Sequence, residues 1–433
     1  MKRPIIITFL VAALLLVLGG IGAVIFFTVR GGNFFKEGNQ PFATLKESKT
    51  VKVDSESAVT LKVIDDAGSV TIVGADVNAI QIKVVKTAHA ATQARAEEEV
   101  KNIKYDVDQV GNTVTIKYDL PNTTVFDMNL NLVDFVVTVP NETTVDVDDK
   151  LGEVSIAGIK GNAVIANDFG EVTVENIEGG LSISNNNGEV NATSIQAGSE
   201  DIDLNSEFGS ITLKNVDGND IILNSNSGTI TLREVRATGD ITTKTDFGNT
   251  AFENGSCSSL SIETNNGAVS LTKVRVSKEI KVEDEFGEIE LGQAFAASYD
   301  LHTNGGSITV DAAKGKLKAH TEFGGIKIGN AQAVMLDLKT NNGTVDFSGS
   351  LDAGPHVVNS EFGEISLTLP IDSKLSVDLK TEFGTIKSDL PITVTLNGTS
   401  NSNGDQIVGS INGGGEQLTV QTNSGSVNIN AGQ

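Results

Sequence analysis

The sequence is short of aromatic residues, cysteine and proline, and each shortage narrows the kind of protein it can be. The 433 residues include no Trp, and aromatic residues make up 5%, so a conventional globular core of this size would lack large packing side chains. The single cysteine, Cys257, allows no internal disulfide and no multi-cysteine metal site, and we expect a buried, inert thiol. With 7 Pro and 45 Gly, the composition favours many short strands joined by tight turns.

Positive charge is also scarce. The 32 Lys and Arg residues stand against 56 Asp and Glu, which gives a formal net charge of −24. Nucleic-acid binding needs the opposite sign, so nucleic acid is excluded as a partner. An acid excess of this kind is typical of an exposed surface that charge keeps soluble.

The N-terminus carries the one long uncharged run, from Ile5 to Val29, between Lys2 and Arg3 on one side and Arg30 on the other. As a helix this run would be roughly 37 Å long, which is ample for a hydrocarbon core of about 30 Å. A cleaved signal peptide would have a shorter apolar region, so an uncleaved anchor is favoured. The basic N-terminal tip predicts a single-pass membrane protein with a cytoplasmic N-terminus and the bulk of the chain extracytoplasmic.

Composition and periodicity divide the chain into four parts. Residues 1–30 are the cytoplasmic tip and transmembrane anchor, and residues 31–49 are a linker. Residues 50–150 alternate apolar and polar residues as strands do, and they enclose one segment, 88–103, without Gly or Pro and with helical spacing of apolar residues. Residues 151–433 form a repeat array.

The array is marked by a glycine that returns about every 20 residues, which indicates a solenoid. Each unit contains a strand, a turn with Gly, a second strand and a looser corner. We considered an array of antiparallel hairpins, but the second corner varies too much in type for that. The prediction is an all-β, single-stranded parallel β-helix with about 20 residues per coil. The glycines are Gly152, Gly170, Gly188, Gly209, Gly228, Gly248, Gly267, Gly287, Gly306, Gly324, Gly343, Gly363, Gly384 and, more loosely, Gly404 and Gly425.

Every second coil carries an acid, Phe and Gly at its turn. The coils between carry Asn in place of the acid and Asn, Ser or Gly in place of Phe. The spacing makes the true repeat two coils, and only the 21-residue step from Gly363 to Gly384 breaks the alternation. The triplets are Asp168-Phe169-Gly170, Glu207-Phe208-Gly209, Asp246-Phe247-Gly248, Glu285-Phe286-Gly287, Glu322-Phe323-Gly324, Glu361-Phe362-Gly363 and Glu382-Phe383-Gly384.

Strand parity assigns a side to each residue of the triplet. Phe208 has the parity of Ile202 and Leu204, so we predict that it faces inward as a corner plug. Glu207 then faces outward, and Gly209 adopts a backbone conformation that is costly for other residues. One ring per two coils would fill the corner without overpacking.

The outward column would alternate acids with Asn, which leaves two interpretations open. It can be a solvated ladder, or a line of weak cation sites, because Ca²⁺ takes carboxylate and amide oxygens. The metal candidates are Glu207, Asp246 and Glu285, with His302 and His320 aligned in neighbouring coils. We found no catalytic nucleophile–base pair, no phosphate-binding loop and no cofactor motif.

Several segments together resemble the bacterial membrane-anchored putative adhesins, a β-strand-repeat family of undefined activity. They are "GSVTIVGAD", the inserted "ARAEEEVKNIKYDVDQVGNTVTIKY", "VVTVPNETTVDV", repeated "GxVxhxxhxG" coils (h, apolar) and the closing "INGGGEQLTVQTNSGSVNI". The resemblance covers the whole region outside the anchor. It implies a right-handed β-helix at the cell surface or in the envelope, and it carries over no catalytic residues.

The expected function is therefore a non-catalytic, membrane-anchored solenoid that presents a surface for adhesion or envelope interaction. Its expected partners are the membrane, through residues 5–29, and a surface glycan or an envelope protein. A self-assembling envelope scaffold is one alternative, which a helix capping one end would oppose. A polysaccharide-active β-helix enzyme is another, but the uniform coil lengths leave no room for a cleft.

Overall fold

The computed structural model describes residues 41–54, 57–120, 130–395 and 405–432. Residues 41–433 form one compact unit. Within the described part, no helix is long and apolar enough to cross a membrane. The predicted anchor at residues 5–29 lies outside the described residues.

The described residues are almost entirely β-strands. The N-terminal elements are β1 (Phe42–Lys52), β2 (Val59–Asp65), β3 (Val70–Ala75), β4 (Ala79–His89), α1 (Gln93–Asn102), β5 (Asp106–Val110), β6 (Thr113–Tyr118), β7 (Leu132–Pro140), β8 (Thr143–Leu151) and β9 (Val154–Ala157). The central strands are β10 (Ala163–Phe169), β11 (Val172–Ile177), β12 (Leu181–Asn187), β13 (Val190–Gln196), β14 (Ile202–Phe208), β15 (Ile211–Gly218), β16 (Ile221–Ser227), β17 (Ile230–Ala237), β18 (Ile241–Phe247), β19 (Thr250–Cys257), β20 (Leu260–Asn266), β21 (Val269–Val276), β22 (Glu279–Asp284) and β23 (Ile289–Gly292). The remaining strands are β24 (Ser298–Thr303), β25 (Ile308–Asp311), β26 (Lys314–Thr321), β27 (Ile326–Thr340), β28 (Val345–Leu351), β29 (His356–Phe362), β30 (Ile365–Pro370), β31 (Leu375–Phe383), β32 (Ile386–Ser388), β33 (Ile392–Val394), β34 (Asp405–Ile411), β35 (Glu416–Ser424) and β36 (Val427–Gly432).

The chain winds into a solenoid in which each coil contributes strands to two parallel ladders. In the central array β14 pairs with β12 and β16, and β15 pairs with β13 and β17, always in parallel. Equivalent residues of successive coils stack on one another, as Ile202, Ile221 and Ile241 do. The prediction of an all-β solenoid with about 20 residues per coil is confirmed.

The core is a stack of small and medium aliphatic side chains, as expected for a chain with so few aromatics. Ile202 and Leu204 on one strand of a coil, and Ile211 and Leu213 on the next, are fully buried. Each buried side chain of this size contributes about 1.5–3 kcal/mol through removal of apolar surface from water. Because every coil repeats this pattern, the core is continuous along the array.

A second corner lies inside the second strand of most coils, and strand parity alone did not predict it. One residue there has a positive φ, such as Asn215 at 54°, Glu234 at 56° or Lys273 at 56°. This left-handed conformation bends the strand and restores the inward direction for the next apolar residue, such as Val216. Asn tolerates the conformation better than Glu or Lys, whose side chains make it costly.

Both ends of the solenoid are closed by strands that break the order of the chain. Near the N-terminus β2 lies between β6 and β8, and β3 between β7 and β9. Near the C-terminus β35 lies between β29 and β31, and β36 between β30 and β32. Antiparallel strands continue each end: β4 and then β1 beyond β7, and β34 beyond β31. The parallel winding predicted throughout therefore holds for the array and not for its ends.

The inserted helix is shorter than the predicted span 88–103. Strand β4 continues to His89, and α1 begins after Thr92, whose side chain accepts a hydrogen bond from the Arg95 backbone N–H. Ala96 and Val100 are buried, and they cover β1 and β4, the antiparallel strands at the N-terminal end. The prediction that this helix covers one end is confirmed.

Candidate contact ridge

The acid-Phe-Gly triplets form one corner of the solenoid, where the first strand of a coil turns into the second. Phe208 lies in register with Asn187 of the coil before and with Ser227 of the coil after, which in turn pairs with Phe247. The seven phenylalanines and the acid before each of them are called the phenylalanine ridge below. Its rings are Phe169, Phe208, Phe247, Phe286, Phe323, Phe362 and Phe383.

The ridge faces the solvent, so the prediction that Phe208 is an inward plug is wrong. The Phe208 side chain is 57% exposed, and the seven rings range from 51% to 77% exposed. Parity holds through Glu207, which faces outward as predicted, and fails at Phe208, because the chain turns after the buried Ser206 and the ring points to solvent.

The inside of the corner is filled by small polar residues instead of rings. Most of them donate a side-chain hydrogen bond to the glycine carbonyl of the neighbouring coil, as Thr303 does to Gly287 at 3.1 Å and Ser360 to Gly343 at 3.0 Å. These bonds satisfy carbonyls that the turn leaves unpaired. This inner polar column comprises Asp65, Asp149, Asn167, Asn185, Ser206, Ser225, Thr245, Thr264, Asp284, Thr303, Thr321, Thr340, Ser360, Thr422 and Thr381.

Close packing of the coils requires a glycine in every triplet, whereas only Gly170, with a φ of 143°, also needs glycine for its backbone conformation. The φ of Gly209 is outside the left-handed region, which corrects the predicted reason for glycine there. A Cβ built on Gly209 would overlap the carbonyl oxygen of Gly188 in the preceding coil. The same overlap recurs along the column, so any side chain here would force two coils apart.

The ladder keeps the alternation of Phe with a small residue even at the one step where the sequence does not. Glu361-Phe362-Gly363 and Glu382-Phe383-Gly384 belong to consecutive coils of the chain, yet Ser424 lies between the two phenylalanines in the ladder. The out-of-order insertion of β35 therefore restores the order Phe, small residue, Phe. At about 4.8 Å per coil, successive rings stand about 9.6 Å apart.

The ridge is larger than an ordinary exposed patch. Seven rings at these exposures leave about 800 Å² of aromatic surface open to solvent, whereas the largest apolar patch of a typical monomer covers about 300–600 Å². Burial of these rings against a partner would remove this apolar surface from water. A row of this kind is typical of an interaction surface.

The acids of the ridge alternate with amides, as predicted. Asn186 donates to Asp168 at 2.8 Å, and Asn265 donates to Asp246 at 3.2 Å, each across one coil step. Glu207 and Glu285 are exposed. Over the described residues, no three of His, Cys, Asp or Glu come together as a metal site, so weak Ca²⁺ binding at Glu207, Asp246 or Glu285 stays a prediction.

The two aligned histidines are neighbours, as predicted, but each binds a different partner. His302 and His320 occupy the same register position in β24 and β26. Nε2 of His302 lies 3.2 Å from the Asn304 side-chain oxygen, and Nε2 of His320 lies 3.1 Å from an oxygen of Asp337. Both rings are thus held by local hydrogen bonds on the outer surface of the ladder.

The lone cysteine is buried, as predicted. Burial raises the pKa of the Cys257 thiol to about 12, so the thiolate that would react is not formed near neutral pH.

The inner polar column holds three aspartates that sequence reasoning did not single out. Asp65, Asp149 and Asp284 are 1%, 1% and 3% exposed. Burial raises their pKa values to about 8, about 9 and about 6 respectively. Their position could have identified them in the sequence. Each stands three residues before the corner glycine, where the other coils have Asn, Ser or Thr.

The fold and the ridge define a class: an all-β solenoid protein with an elongated, exposed aromatic and acidic surface. The chain belongs to the Toastrack DUF4097 family, whose model matches residues 63–322 and 253–430. No curated protein matches the sequence.

Three solved structures show limited similarity. A putative cell adhesion protein from Clostridium sporogenes is 10% identical, with coverage of 90% of this chain and 100% of that chain and a TM-score of 0.19. A putative adhesin from Bacteroides fragilis is 14% identical, covering 66% and 96%, with a TM-score of 0.28. A putative lipid binding protein from Parabacteroides distasonis is 13% identical, covering 89% and 96%, with a TM-score of 0.18. These values carry no argument about function.

Proposed function

We propose that this protein is a membrane-anchored, extracytoplasmic solenoid that works by presenting the phenylalanine ridge for adhesion or envelope contact. The observation that carries the proposal is the solvent exposure of all seven ridge rings. Their joint area of about 800 Å² equals one side of a standard protein interface, so the ridge is large enough to bind a partner specifically.

We infer that the partner is a linear glycan of the envelope or of another cell. Aromatic faces pack well against the C–H faces of sugar rings, and carboxylate and amide groups bind sugar hydroxyls; the ridge offers both side by side. The notches between rings are about 9.6 Å long and are floored by small residues such as Asn187, Ser227 and Asn266. A regular polymer can occupy successive notches, which makes binding multivalent.

A glycan screen with the fragment 41–433 tests the proposal, because this fragment is the compact unit. The variant Phe208→Ser/Phe247→Ser/Phe286→Ser removes three consecutive rings and is expected to lose the binding of the unmodified fragment. Phe295→Ser is the matched control, since Phe295 is 42% exposed but lies outside the ridge. Undiminished binding by the triple variant would contradict the proposal, and binding only to envelope proteins would favour a protein partner.

The rest of the proposal concerns location and winding. The anchor at residues 5–29, the cytoplasmic N-terminus and the right-handed sense of the coils are predictions from the sequence. Fractionation of cells that express the full chain, beside cells that express residues 41–433, tests the anchor. The full chain is expected with the membranes and the fragment in the soluble fraction.

The alternatives have less support. An end-to-end scaffold needs open parallel coils at its ends, whereas antiparallel strands continue both ends, and β1 carries Lys46, Glu47 and Lys49 along its length. A monomer or small oligomer in analytical ultracentrifugation would remove the scaffold. A polysaccharide-active enzyme needs two carboxyl groups that converge on one glycosidic bond, whereas the ridge acids stand in a row along an open corner, with Glu207 and Glu285 exposed. Release of reducing ends from a bound glycan would support the enzyme instead.

A further inference from the structure

The aspartates of the inner polar column, when ionised, cannot donate the hydrogen bond that most of their neighbours in the column donate. Most Asn, Ser and Thr residues at this position donate a hydrogen bond to a glycine carbonyl, as Asn167 does to Gly170 at 3.1 Å. An ionised carboxylate has no proton to donate. An aspartate in this column therefore places its oxygens against carbonyl oxygens unless a cation or a proton lies between them.

Two of the aspartates adjoin each other in the N-terminal coils. Asp65 and Asp149 are direct register partners in β2 and β8, and Asp149 is the partner of Asn167 in β10. All three side chains are at least 97% buried. The column thus stacks two carboxyl groups and one amide over three consecutive coils.

Several oxygens of this stack have no hydrogen-bond partner. They are one oxygen of Asp65 (Oδ2), both carboxyl oxygens of Asp149 and the amide oxygen of Asn167. The backbone N–H of Lys150 acts to lower the pKa of Asp149, but it is not in hydrogen-bonding geometry with either carboxyl oxygen. Unpaired buried acceptors are costly, and four of them in three coils indicate a missing electropositive partner.

Among the described residues, no cationic side chain is paired with Asp65 or Asp149. The neighbouring Lys150 is exposed and forms an ion pair with Asp66 at 2.5 Å. The other charged groups that face the pair are acids: Asp66 and Asp134 act on Asp65, and Asp148 and Asp168 act on Asp149. Together with burial they hold the pKa values of the pair far above the usual range.

The burial of this column favours Ca²⁺ over Mg²⁺. Asp65 and Asp149 are register partners in adjacent coils about 4.8 Å apart, so their carboxyl groups can share one ion. Ca²⁺ accepts an irregular set of protein oxygens, whereas Mg²⁺ demands a near-ideal octahedron and usually keeps several waters. A backbone oxygen lies close by as well. The place where a Gly152 Cβ would stand overlaps the Gly68 carbonyl oxygen and is 3.0 Å from Oδ2 of Asp149.

We propose that Asp65 and Asp149, with the carbonyl oxygen of Gly68, bind one buried Ca²⁺ ion in the N-terminal coils. The donor set is entirely oxygen, which suits a hard cation. The ion would neutralise the paired carboxylates and join two adjacent coils beside the end of the array. This site is separate from the phenylalanine ridge and from the surface acids of the ladder.

A third aspartate of the column, Asp284, serves as a control for the proposed site. Asp284 occupies the same column, but its register partners are Thr264 and Thr303, which donate to Gly248 and Gly287. Asp284 resembles Asp65 in that one oxygen accepts a backbone N–H, from Phe286 at 3.2 Å, and Oδ2 has no partner. A lone carboxyl group between two hydroxyls lacks the second acid that the proposed site uses, so Asp284 is not expected to bind Ca²⁺.

The experiment uses fragment 41–433 freed of metal with a chelator, at pH 7.5 and constant ionic strength. Isothermal titration with CaCl2 is expected to show one ion per chain, and Ca²⁺ is expected to raise the melting temperature by several degrees. Asp149→Asn and Asp65→Asn should abolish both effects, and Asp284→Asn should keep them. Asparagine already occupies this column at Asn167 and Asn185, so the variants are expected to fold.

Three results would overturn the proposal. The first is no bound Ca²⁺ and no change in melting temperature for the unmodified fragment. The second is an equal response to MgCl2, which would contradict the argument that a buried, irregular set of protein oxygens favours Ca²⁺. The third is unchanged binding in Asp149→Asn, which would move the ion to the surface acids.

Discussion

The orientation of the ridge can be tested by stability alone, with two phenylalanines of the same array. Phe208 is 57% exposed at the corner, whereas Phe252 in β19 is 1% exposed, and its ring lies where a Cβ on Gly255 would stand. Phe252→Ala would leave a cavity and should cost about 3–5 kcal/mol. Phe208→Ala removes a ring from solvent and should change stability by no more than about 0.5 kcal/mol.

The assay is urea unfolding of fragment 41–433, followed by circular dichroism, with the midpoint as the readout. Long repeat arrays can unfold in parts, so hydrogen exchange of the β14 and β15 amides provides a local measure beside it. If Phe208→Ala lowers stability as much as Phe252→Ala does, the ring packs inside the corner and the account of the ridge is wrong.

Three further predictions concern the corners of the coils. Gly209→Ala should lower the free energy of unfolding by about 3 kcal/mol or more, because the new methyl group would press on the Gly188 carbonyl. Gly292→Ala should be nearly neutral in the same urea unfolding assay, because the nearest neighbours of its Cβ are 3.8 Å away. Lys273→Gly should stabilise the protein by about 0.5–1 kcal/mol, because Lys273 has a φ of 56°, whereas Thr272→Gly beside it should destabilise by a similar amount; the reverse order of melting temperatures would contradict this. Burial raises the pKa of Asp284 to about 6 in the folded protein from a usual 3.8. Its contribution to the free energy of unfolding is therefore intact below about pH 4 and is lost as the pH rises to 6, by at most about 1.4 kcal/mol per pH unit. In thermal melts across this range, Asp284→Asn should lose that part of the dependence of stability on pH, and an unchanged dependence would refute the assignment.

The sequence predicted the repeating part of the fold well, because the repeat carries its own signal. A glycine every 20 residues and alternating apolar residues are enough to predict stacked parallel coils, and the stacking of Ile202 on Ile221 follows from the period. The alternation of acid with Asn outside, and the alignment of His302 with His320, followed in the same way.

The corner was predicted wrongly because parity assumes a straight strand. The strand direction changes after Ser206, so Phe208 keeps the parity of the core residues while its side chain points to solvent. The signal was in the triplet itself: a small polar residue precedes each acid, and that residue fills the corner. The second corner, at Asn215, could not be predicted because an Asn within a strand does not by itself indicate a positive φ.

The ends of the solenoid could not be predicted from periodicity. Strand β35 enters between β29 and β31 although it follows both in the chain, and the pattern of apolar residues in a strand does not state which neighbours it will choose. The 21-residue step between Gly363 and Gly384 was the one trace of this insertion in the sequence. The buried pair Asp65 and Asp149 has the same origin, since its two members are 84 residues apart and meet only through the out-of-order winding.

The most direct test of the central claim is to measure glycan affinity as the ridge is shortened. For a glycan retained in the screen, the dissociation constant of fragment 41–433 is measured as ridge phenylalanines are replaced by Ser one after another, starting at Phe208 and moving toward Phe383. The account predicts a stepwise loss of affinity with each ring removed, while Phe295→Ser leaves the affinity unchanged. An affinity that stays constant until the last ring is gone would contradict the claim that this ridge is the binding surface.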